Sequence, residues 1–142
     1  MGLKLELDQE KLDYVIRHAL VEDIGRGDIT TQLTIPKEKE VEARIVFKED
    51  ALLCGIQVAE KVFKTIDSAI KFKALAKEGS WVKNGKPIIK LSGKAASILS
   101  AERVALNLLS MLSGIATKTK EYVEHIEPYK AKISDTRKTL PG

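Results

Sequence analysis

Two groups of cationic and hydroxyl side chains in the sequence have the chemistry to bind small anions. Arg137 and Lys138 stand between Thr136 and Thr139 near the end of the chain, and Arg103 lies in an otherwise apolar stretch. A guanidinium presents a planar fork of donors and a lysine ammonium is a compact charge, which together suit a phosphate or a carboxylate. The alternative for Arg137 and Lys138 is an ordinary basic surface segment, because adjacent basic residues are common on protein surfaces.

Arg103 belongs to the most informative predicted helix, which spans about residues 95–113 and ends at Gly114 as its C′ residue. Most of the helix circumference is apolar, which predicts burial on nearly every side. Four polar residues share one narrow stripe at helical spacing: Ser100, Arg103, Asn107 and Ser110. Because a buried arginine needs an anionic partner, we expect Arg103 to pair with Glu102, another protein carboxylate or a ligand, although Glu102 lies about 100° around the helix and does not face Arg103 directly.

Shorter elements surround this helix and must position its polar stripe. Asp8 is a plausible N-cap for the first helix, and the stretch from Glu22 to Pro36 predicts a turn-rich loop. Hydrophobic periodicity predicts further helices at 9–21, 58–66 and 117–126, and strands at 41–47, 51–56, 70–76, 87–91 and 131–134. The last strand leads into Thr136, Arg137 and Lys138, as binding residues do at the carboxyl edge of a parallel sheet or barrel.

Composition excludes several function classes. The 142 residues carry 24 Lys+Arg and 20 Asp+Glu, and a net charge of +4 with 5% aromatic residues is too weak a signal for a nucleic-acid binder. A single cysteine, Cys54, and two histidines argue against a disulfide framework or structural zinc. The sequence shows no apolar leader and no membrane anchor, so we expect a cytoplasmic protein.

Other titratable residues favour structural interpretations. Asp23 and Asp28 flank Gly25 and Gly27 without the spacing of a calcium loop, and we interpret them as part of a turn with a helix cap. Cys54 sits in an apolar run and is interpreted as a small core residue.

Three strings resemble the N-terminal signatures of the quinolinate phosphoribosyltransferase family, also called nicotinate-nucleotide pyrophosphorylase (carboxylating). They are ALVEDIGRGDITT at 19–31, AERVALNLLSMLSGIAT at 101–117 and ISDTRKTLPG at 133–142, in the family's order. A GI-x-x-A-x-x-VF pattern at 55–63 is also similar. The resemblance covers nearly the whole chain, and three signatures together are specific.

The resemblance implies an activity and a set of binding residues. Members of the family join quinolinate to phosphoribosyl pyrophosphate and form nicotinate mononucleotide, pyrophosphate and CO2 for NAD synthesis, with Mg2+ bound to the phosphates. Arg103 matches the family arginine that reaches into the partner subunit's active site and holds a quinolinate carboxylate. Thr136, Arg137 and Lys138 match substrate-contacting residues at the end of the first barrel strand. The catalytic groups of the rest of the barrel have no counterpart in this sequence, so we expect this chain alone to be inactive.

The resemblance also implies an architecture. We expect an α+β fold in which residues 1–113 form an N-terminal α/β sandwich of antiparallel strands and helices, with strands like those of barrel-sandwich domains. Residues 114–142 would then supply the first helix and strand of a truncated α/β barrel. Homo-oligomers are expected, as dimers or as hexamers built from dimers, with active sites shared between subunits.

Three other functions are compatible with parts of the sequence. A superfamily relative with a different acceptor would use the same anion-binding residues. A carrier module is possible because residues 78–88 resemble the half-barrel of biotinyl and lipoyl domains, although the usual sequence around the modified lysine is missing. A truncated pseudo-enzyme would act only in oligomerisation.

Overall fold

The computed structural model describes residues 7–25 and 27–139, which form four helices and five strands. The helices are α1 (Gln9–Ile24), α2 (Ile29–Thr34), α3 (Ile56–Ile66) and α4 (Ala95–Ile126). The strands are β1 (Glu40–Val46), β2 (Ala51–Leu52), β3 (Lys71–Ala74), β4 (Trp81–Val82) and β5 (Pro87–Lys94). Helices and antiparallel sheet occupy separate layers, so the chain has the expected α+β fold, and its described residues contain no closed barrel.

The main sheet has the strand order β1-β5-β3, with both pairs antiparallel. Ala43, Leu91 and Phe72 share one rung across the three strands, and their side chains face the helices. On each strand, the residues directly before and after this rung are polar or charged, as a sheet with one solvated face requires. A second, two-stranded sheet pairs β2 with β4 beside the end of α3 that begins at Ile56.

The core lies between the main sheet and helices α1, α3 and α4. Its largest side chains with at most 2% solvent exposure are Phe63, Ile16, Leu53, Ile70, Ile88, Ile89, Leu91, Leu109 and Val62. Phe63 stands on α3, whose strongly one-sided apolar face packs against α4 and the sheet. Burial of this set fixes α4 across the domain and thereby sets the direction of its polar stripe.

Most predicted elements are confirmed within a few residues. Asp8 caps α1 as predicted, since its carboxylate accepts hydrogen bonds from the backbone N–H groups of Glu10 and Lys11. The predicted strand 51–56 is wrong beyond Leu52, because the chain turns at Gly55 into α3. At Gly55 φ is +103°, and a Cβ there would lie 2.7 Å from Cδ1 of Leu112, so both the backbone and the packing favour glycine.

The predicted loop from Glu22 to Pro36 is wrong in its central part, where α2 forms. Asp28 is the N-cap of α2, and its carboxylate accepts hydrogen bonds from both the backbone N–H and the hydroxyl of Thr31. Threonines are weak helix formers, so the sequence pattern does not predict this helix. The cap residue Asp28 stabilises it.

Helix α4 corrects the predicted end at Gly114, because it continues to Ile126 and includes the separate helix predicted at 117–126. Glycine inside a helix costs about 1 kcal/mol relative to alanine. Tertiary hydrogen bonds on both sides offset that cost. The Ser113 hydroxyl bonds to the backbone N–H and C=O of Cys54, and the Thr117 hydroxyl accepts from the N–H of Leu52.

The predicted strand 131–134 is also wrong. Residues 131–139 are exposed and have no regular secondary structure. Strands form by pairing with neighbours, and none of the five strands lies beside this segment. The proposed division at residue 113 falls inside α4 and stays a prediction.

Among the described residues, α4 is the one helix long and apolar enough to cross a membrane by length and composition. A core helix has the same composition, and the apolar face of α4 packs against α1, α3 and β2. The expectation that the chain has no membrane anchor stays a prediction.

Candidate functional site

Arg103 stands on the outer face of α4, where its side chain is 71% exposed. Burial on nearly every side of this helix is therefore a wrong prediction, and Leu99 and Met111 are also exposed. The expected anionic partner is a protein carboxylate, because Nη1 of Arg103 donates to Oδ1 of Asp23 at 2.9 Å. Asp23 lies in the last turn of α1, so this ion pair joins α1 to α4 through two residues that are 80 positions apart in sequence.

A second carboxylate, Asp28, lines two of the same clefts as Arg103. Its Oδ2 accepts a hydrogen bond of 2.5 Å from the Thr31 hydroxyl and a longer one of 3.4 Å from Ser100 on α4. The Thr31 hydroxyl and backbone N–H lower the pKa of Asp28, with smaller contributions from Ser100 and from the charge of Arg103. Asp28 thus stays ionised at neutral pH and joins the N-terminus of α2 to α4.

Three shallow clefts with volumes of about 210, 370 and 490 Å3 meet at Arg103. Two of these volumes fall within the range of about 300–1,000 Å3 that is typical of small-molecule pockets. We call this region the Arg103 cleft and define it by the residues Asp23, Asp28, Thr30, Thr31, Leu99, Ser100, Arg103 and Asn107. Its polar groups supply hydroxyl, amide and guanidinium donors to a ligand between α2 and α4.

The other predicted site residues lie away from this cleft. Thr136, Arg137 and Lys138 are exposed, and none of them lines the Arg103 cleft. Within residues 131–139, two hydrogen bonds are local: Lys138 N–H donates to the Thr136 hydroxyl, and Thr139 N–H donates to the carbonyl of Arg137. In this chain the four residues expected to bind substrate therefore form two separate groups.

Sequence reasoning missed the contribution of Asp23. The EDIGRGD segment indicates a turn, and nothing in the local pattern connects it to a helix 80 residues away. The one available signal is the predicted need of Arg103 for a carboxylate, which leaves every acidic residue of the chain as a candidate.

The carboxylate of Glu78 caps the N-terminus of α3. Oε1 and Oε2 of Glu78 accept hydrogen bonds from the backbone N–H groups of Gly55 and Ile56, at 2.6 and 2.9 Å. Burial, and after it the Glu78 carboxylate, raises the pKa of the neighbouring Cys54 thiol. A thiol held in its neutral form is a poor nucleophile, so the interpretation of Cys54 as a packing residue is supported.

The described residues do not form a metal site by themselves. Residues 7–25 and 27–139 contain no group of three or more His, Cys, Asp or Glu side chains placed to hold a metal ion. Two of the carboxylates that line the clefts, Asp23 and Asp28, are engaged by Arg103 and Thr31. The described residues of the Arg103 cleft therefore do not present a set of ligands for a magnesium ion.

Comparison with known proteins identifies the family. A family model described as "Quinolinate phosphoribosyl transferase, N-terminal domain" matches residues 28–113, which is more than half of the chain. The chain belongs to this family. The matched range includes Asp28 and Arg103 and excludes Thr136, Arg137 and Lys138. The resemblance read from the three signatures is confirmed as to family.

This chain is shorter than its relatives. It is 41% identical over 131 residues to a probable nicotinate-nucleotide pyrophosphorylase [carboxylating] of Synechocystis sp., covering 92% of this chain and 44% of the relative. A probable enzyme of the same name in Bacillus subtilis is 41% identical over 132 residues, covering 93% of this chain and 45% of the relative. The chain thus spans less than half the length of these relatives. A chloroplastic relative from Arabidopsis thaliana is 43% identical over 132 residues, covering 92% of this chain and 37% of the relative.

Solved structures of the family share the fold. The structure of NadC from Streptococcus pyogenes superposes with a TM-score of 0.91 at 33% identity, covering 97% of this chain and 49% of that one. The nicotinate-nucleotide pyrophosphorylase from Francisella tularensis gives a TM-score of 0.89 at 38% identity, covering 96% and 48%. Nearly all of the chain therefore adopts the fold of one half of these longer proteins.

Proposed function

We propose that this chain is the N-terminal part of an enzyme that transfers phosphoribose from phosphoribosyl pyrophosphate to quinolinate. The overall reaction releases pyrophosphate and CO2 and yields nicotinate mononucleotide. The observation that carries the proposal is Arg103, a guanidinium exposed over a cleft in a chain of this family. Relatives bear the matching names, but the activity of this protein rests on the assignment of Arg103 and of the C-terminal residues.

Arg103 suits a ligand carboxylate because most of its hydrogen-bonding capacity is unused. A guanidinium has five N–H donors, and among the described residues Arg103 donates one hydrogen bond, to Asp23. The remaining donors are available on the exposed side of the α4 helix. Two parallel hydrogen bonds from arginine to a carboxylate are short and directional, so they would orient the pyridine ring of quinolinate.

Thr136, Arg137 and Lys138 would bind the substrates from the other side of the site. Their charges complement the carboxylates of quinolinate and the phosphates of phosphoribosyl pyrophosphate, which need neutralisation as pyrophosphate leaves. In this chain they do not line the Arg103 cleft, and we assign them to a site that a second subunit completes. Two exposed apolar residues support such an interface on α4: Leu99, which lines the cleft with Arg103, and Met111, two turns further along the helix.

The finer assignments belong to the same proposal. We infer homo-oligomers, as dimers or hexamers of dimers, and a cytoplasmic location, although one plant relative is named as chloroplastic and another from Nicotiana tabacum as mitochondrial. Mg2+ would accompany the phosphates of phosphoribosyl pyrophosphate, as the family resemblance implies, and would neutralise their charge.

The test uses a completed enzyme, in which this chain is joined to the remaining part of the Bacillus subtilis relative. We expect pyrophosphate release that depends on both quinolinate and phosphoribosyl pyrophosphate from the completed enzyme, and none from the chain alone. Arg103→Lys keeps the charge and loses the fork, so the KM for quinolinate should rise by about tenfold or more.

Arg44→Ala is the matched control, because Arg44 is exposed on β1 and lies outside the Arg103 cleft. It should leave both KM values unchanged. The proposal is overturned if the completed enzyme has no turnover, or if Arg103→Lys behaves like Arg44→Ala.

A further inference from the structure

The two partners of the Asp23–Arg103 ion pair differ more in solvent exposure than the partners of the other ion pairs among the described residues. Asp23 is 20% exposed, the lowest value for any ion-pair partner among the described residues, whereas Arg103 is 71% exposed. The carboxylate is therefore held within the protein, at the end of α1, while the guanidinium extends over the clefts. Such an arrangement fixes the orientation of Arg103 from one side only.

The contacts around the pair leave one edge of the guanidinium for a ligand. Nη1 is engaged by Oδ1 of Asp23 at 2.9 Å. The nearby carboxylate Asp28 is already engaged by Thr31 and Ser100, so it attracts Arg103 through its charge. Arg103 lines all three clefts.

We infer that Asp23 is a positioning residue, which orients the Arg103 guanidinium before a ligand carboxylate arrives. The inference rests on the proposed function, because it takes Arg103 as the group that binds the quinolinate carboxylate. An exposed arginine loses much rotamer freedom when a ligand fixes it, and a partner that fixes it beforehand removes that loss from the binding step. Asp23 thus acts on the substrate through Arg103 and does not itself touch the substrate.

Two physical effects of Asp23 have opposite signs, and this makes the inference testable. Pre-orientation of Arg103 strengthens carboxylate binding, whereas the negative charge of Asp23 repels a second carboxylate through space. If pre-orientation is larger, Asp23→Asn weakens quinolinate binding. If repulsion is larger, the same substitution strengthens it.

The first experiment measures the orientation of Arg103 in the 142-residue chain by 15N NMR relaxation of its Nε–H group. Asp23→Asn should lower the order parameter of this group toward that of a free side chain. The control is Asp13→Asn, on α1 like Asp23 and outside the Arg103 cleft, which breaks the 2.9 Å ion pair of Asp13 with Lys61 on α3. An unchanged Arg103 order parameter in Asp23→Asn would overturn the inference, whatever the enzyme does.

The second experiment measures kinetics of the completed enzyme. Asp23→Asn should raise the KM for quinolinate by about tenfold, while kcat and the KM for phosphoribosyl pyrophosphate stay within about twofold, since Arg103 binds ground state and transition state alike. Asp23→Glu should recover part of the affinity, and Asp13→Asn should match the unsubstituted enzyme. General destabilisation would not change one KM selectively.

The outcomes separate the two claims. An active completed enzyme whose KM for quinolinate is unchanged or lower in Asp23→Asn contradicts the positioning role and leaves the proposed function intact. A completed enzyme without turnover contradicts the proposed function, and the NMR measurement still decides whether Asp23 orients Arg103.

Discussion

The Arg103 cleft and the segment that carries Thr136, Arg137 and Lys138 have opposite structural character. The cleft is assembled from α1, α2 and α4, with the side chains of Asp23 and Asp28 bonded across helices. The segment of residues 127–139 is exposed throughout, and its hydrogen bonds near Lys138 are local. One binding group is therefore shaped by the tertiary structure of this chain, whereas the other needs further elements to give it a fixed geometry.

The largest expected effect concerns the core that supports the cleft. Phe63→Ala removes a side chain without solvent exposure between α3, α4 and the sheet, and should lower the free energy of unfolding by about 3–5 kcal/mol. Denaturant unfolding followed by circular dichroism measures it. Tyr129→Ala, at a residue that is 71% exposed in the C-terminal segment, should stay within about 0.5 kcal/mol of the original chain. Equal losses for the two variants would refute the difference between the regions.

The next effect concerns the cap at the start of α3. Glu78→Gln replaces one of the two oxygens that accept hydrogen bonds from Gly55 and Ile56, and it removes the charge. Hydrogen bonds to charged groups contribute about 1.5–3 kcal/mol, so we expect a loss of stability in that range by thermal or denaturant unfolding. The Cys54 thiol should also react faster with an alkylating reagent, since the carboxylate that helps to raise its pKa is gone. A loss of stability with no change in thiol reactivity would contradict the assigned contact.

A smaller effect is expected where α4 passes from the packed region toward the exposed segment. Thr117→Val keeps the side-chain shape and removes the hydroxyl that accepts from Leu52 N–H and donates to the Ser113 carbonyl. The expected cost is about 1 kcal/mol, as for a typical internal hydrogen bond. Thr119→Val on the exposed side of α4 is the matched control and should change stability little. If both variants are alike, the hydroxyl does not hold α4 against β2.

The smallest effect is a pH dependence at the cleft. The folded-state pKa of Asp28 is lowered by the Thr31 hydroxyl and N–H relative to its usual value of 3.8. The stability that the carboxylate contributes is therefore complete above pH 3.8 and is lost as the pH falls through the lower folded-state pKa. Asp28→Asn should have a lower free energy of unfolding than the original chain at neutral pH, and this loss of stability should shrink in acid. A difference that grows on acidification would have the wrong sign.

Sequence reasoning reached much of this picture where local patterns determine structure. The amphipathic α1, the alternating β1 and the apolar start of α4 follow from periodicity and a cap residue. The errors occur where distant contacts decide the outcome: α2 depends on a single capping carboxylate, and α4 continues through Gly114 because Ser113 and Thr117 bond to residues about 60 positions earlier. For the site, residue types pointed to Arg103, but its exposure and its partner Asp23 depend on how α1 and α4 pack.

The central claim is that Arg103 of one subunit and Arg137 of another form one active site. Co-expression of the completed enzyme as Arg103→Ala and Arg137→Ala, each of which we expect to be inactive alone, tests it most directly. Random pairing should restore about a quarter of the original activity, because half of the dimers are mixed and each mixed dimer has one intact site of two. If both residues act within a single subunit, every site keeps one defect, and the mixture will be no more active than either variant alone.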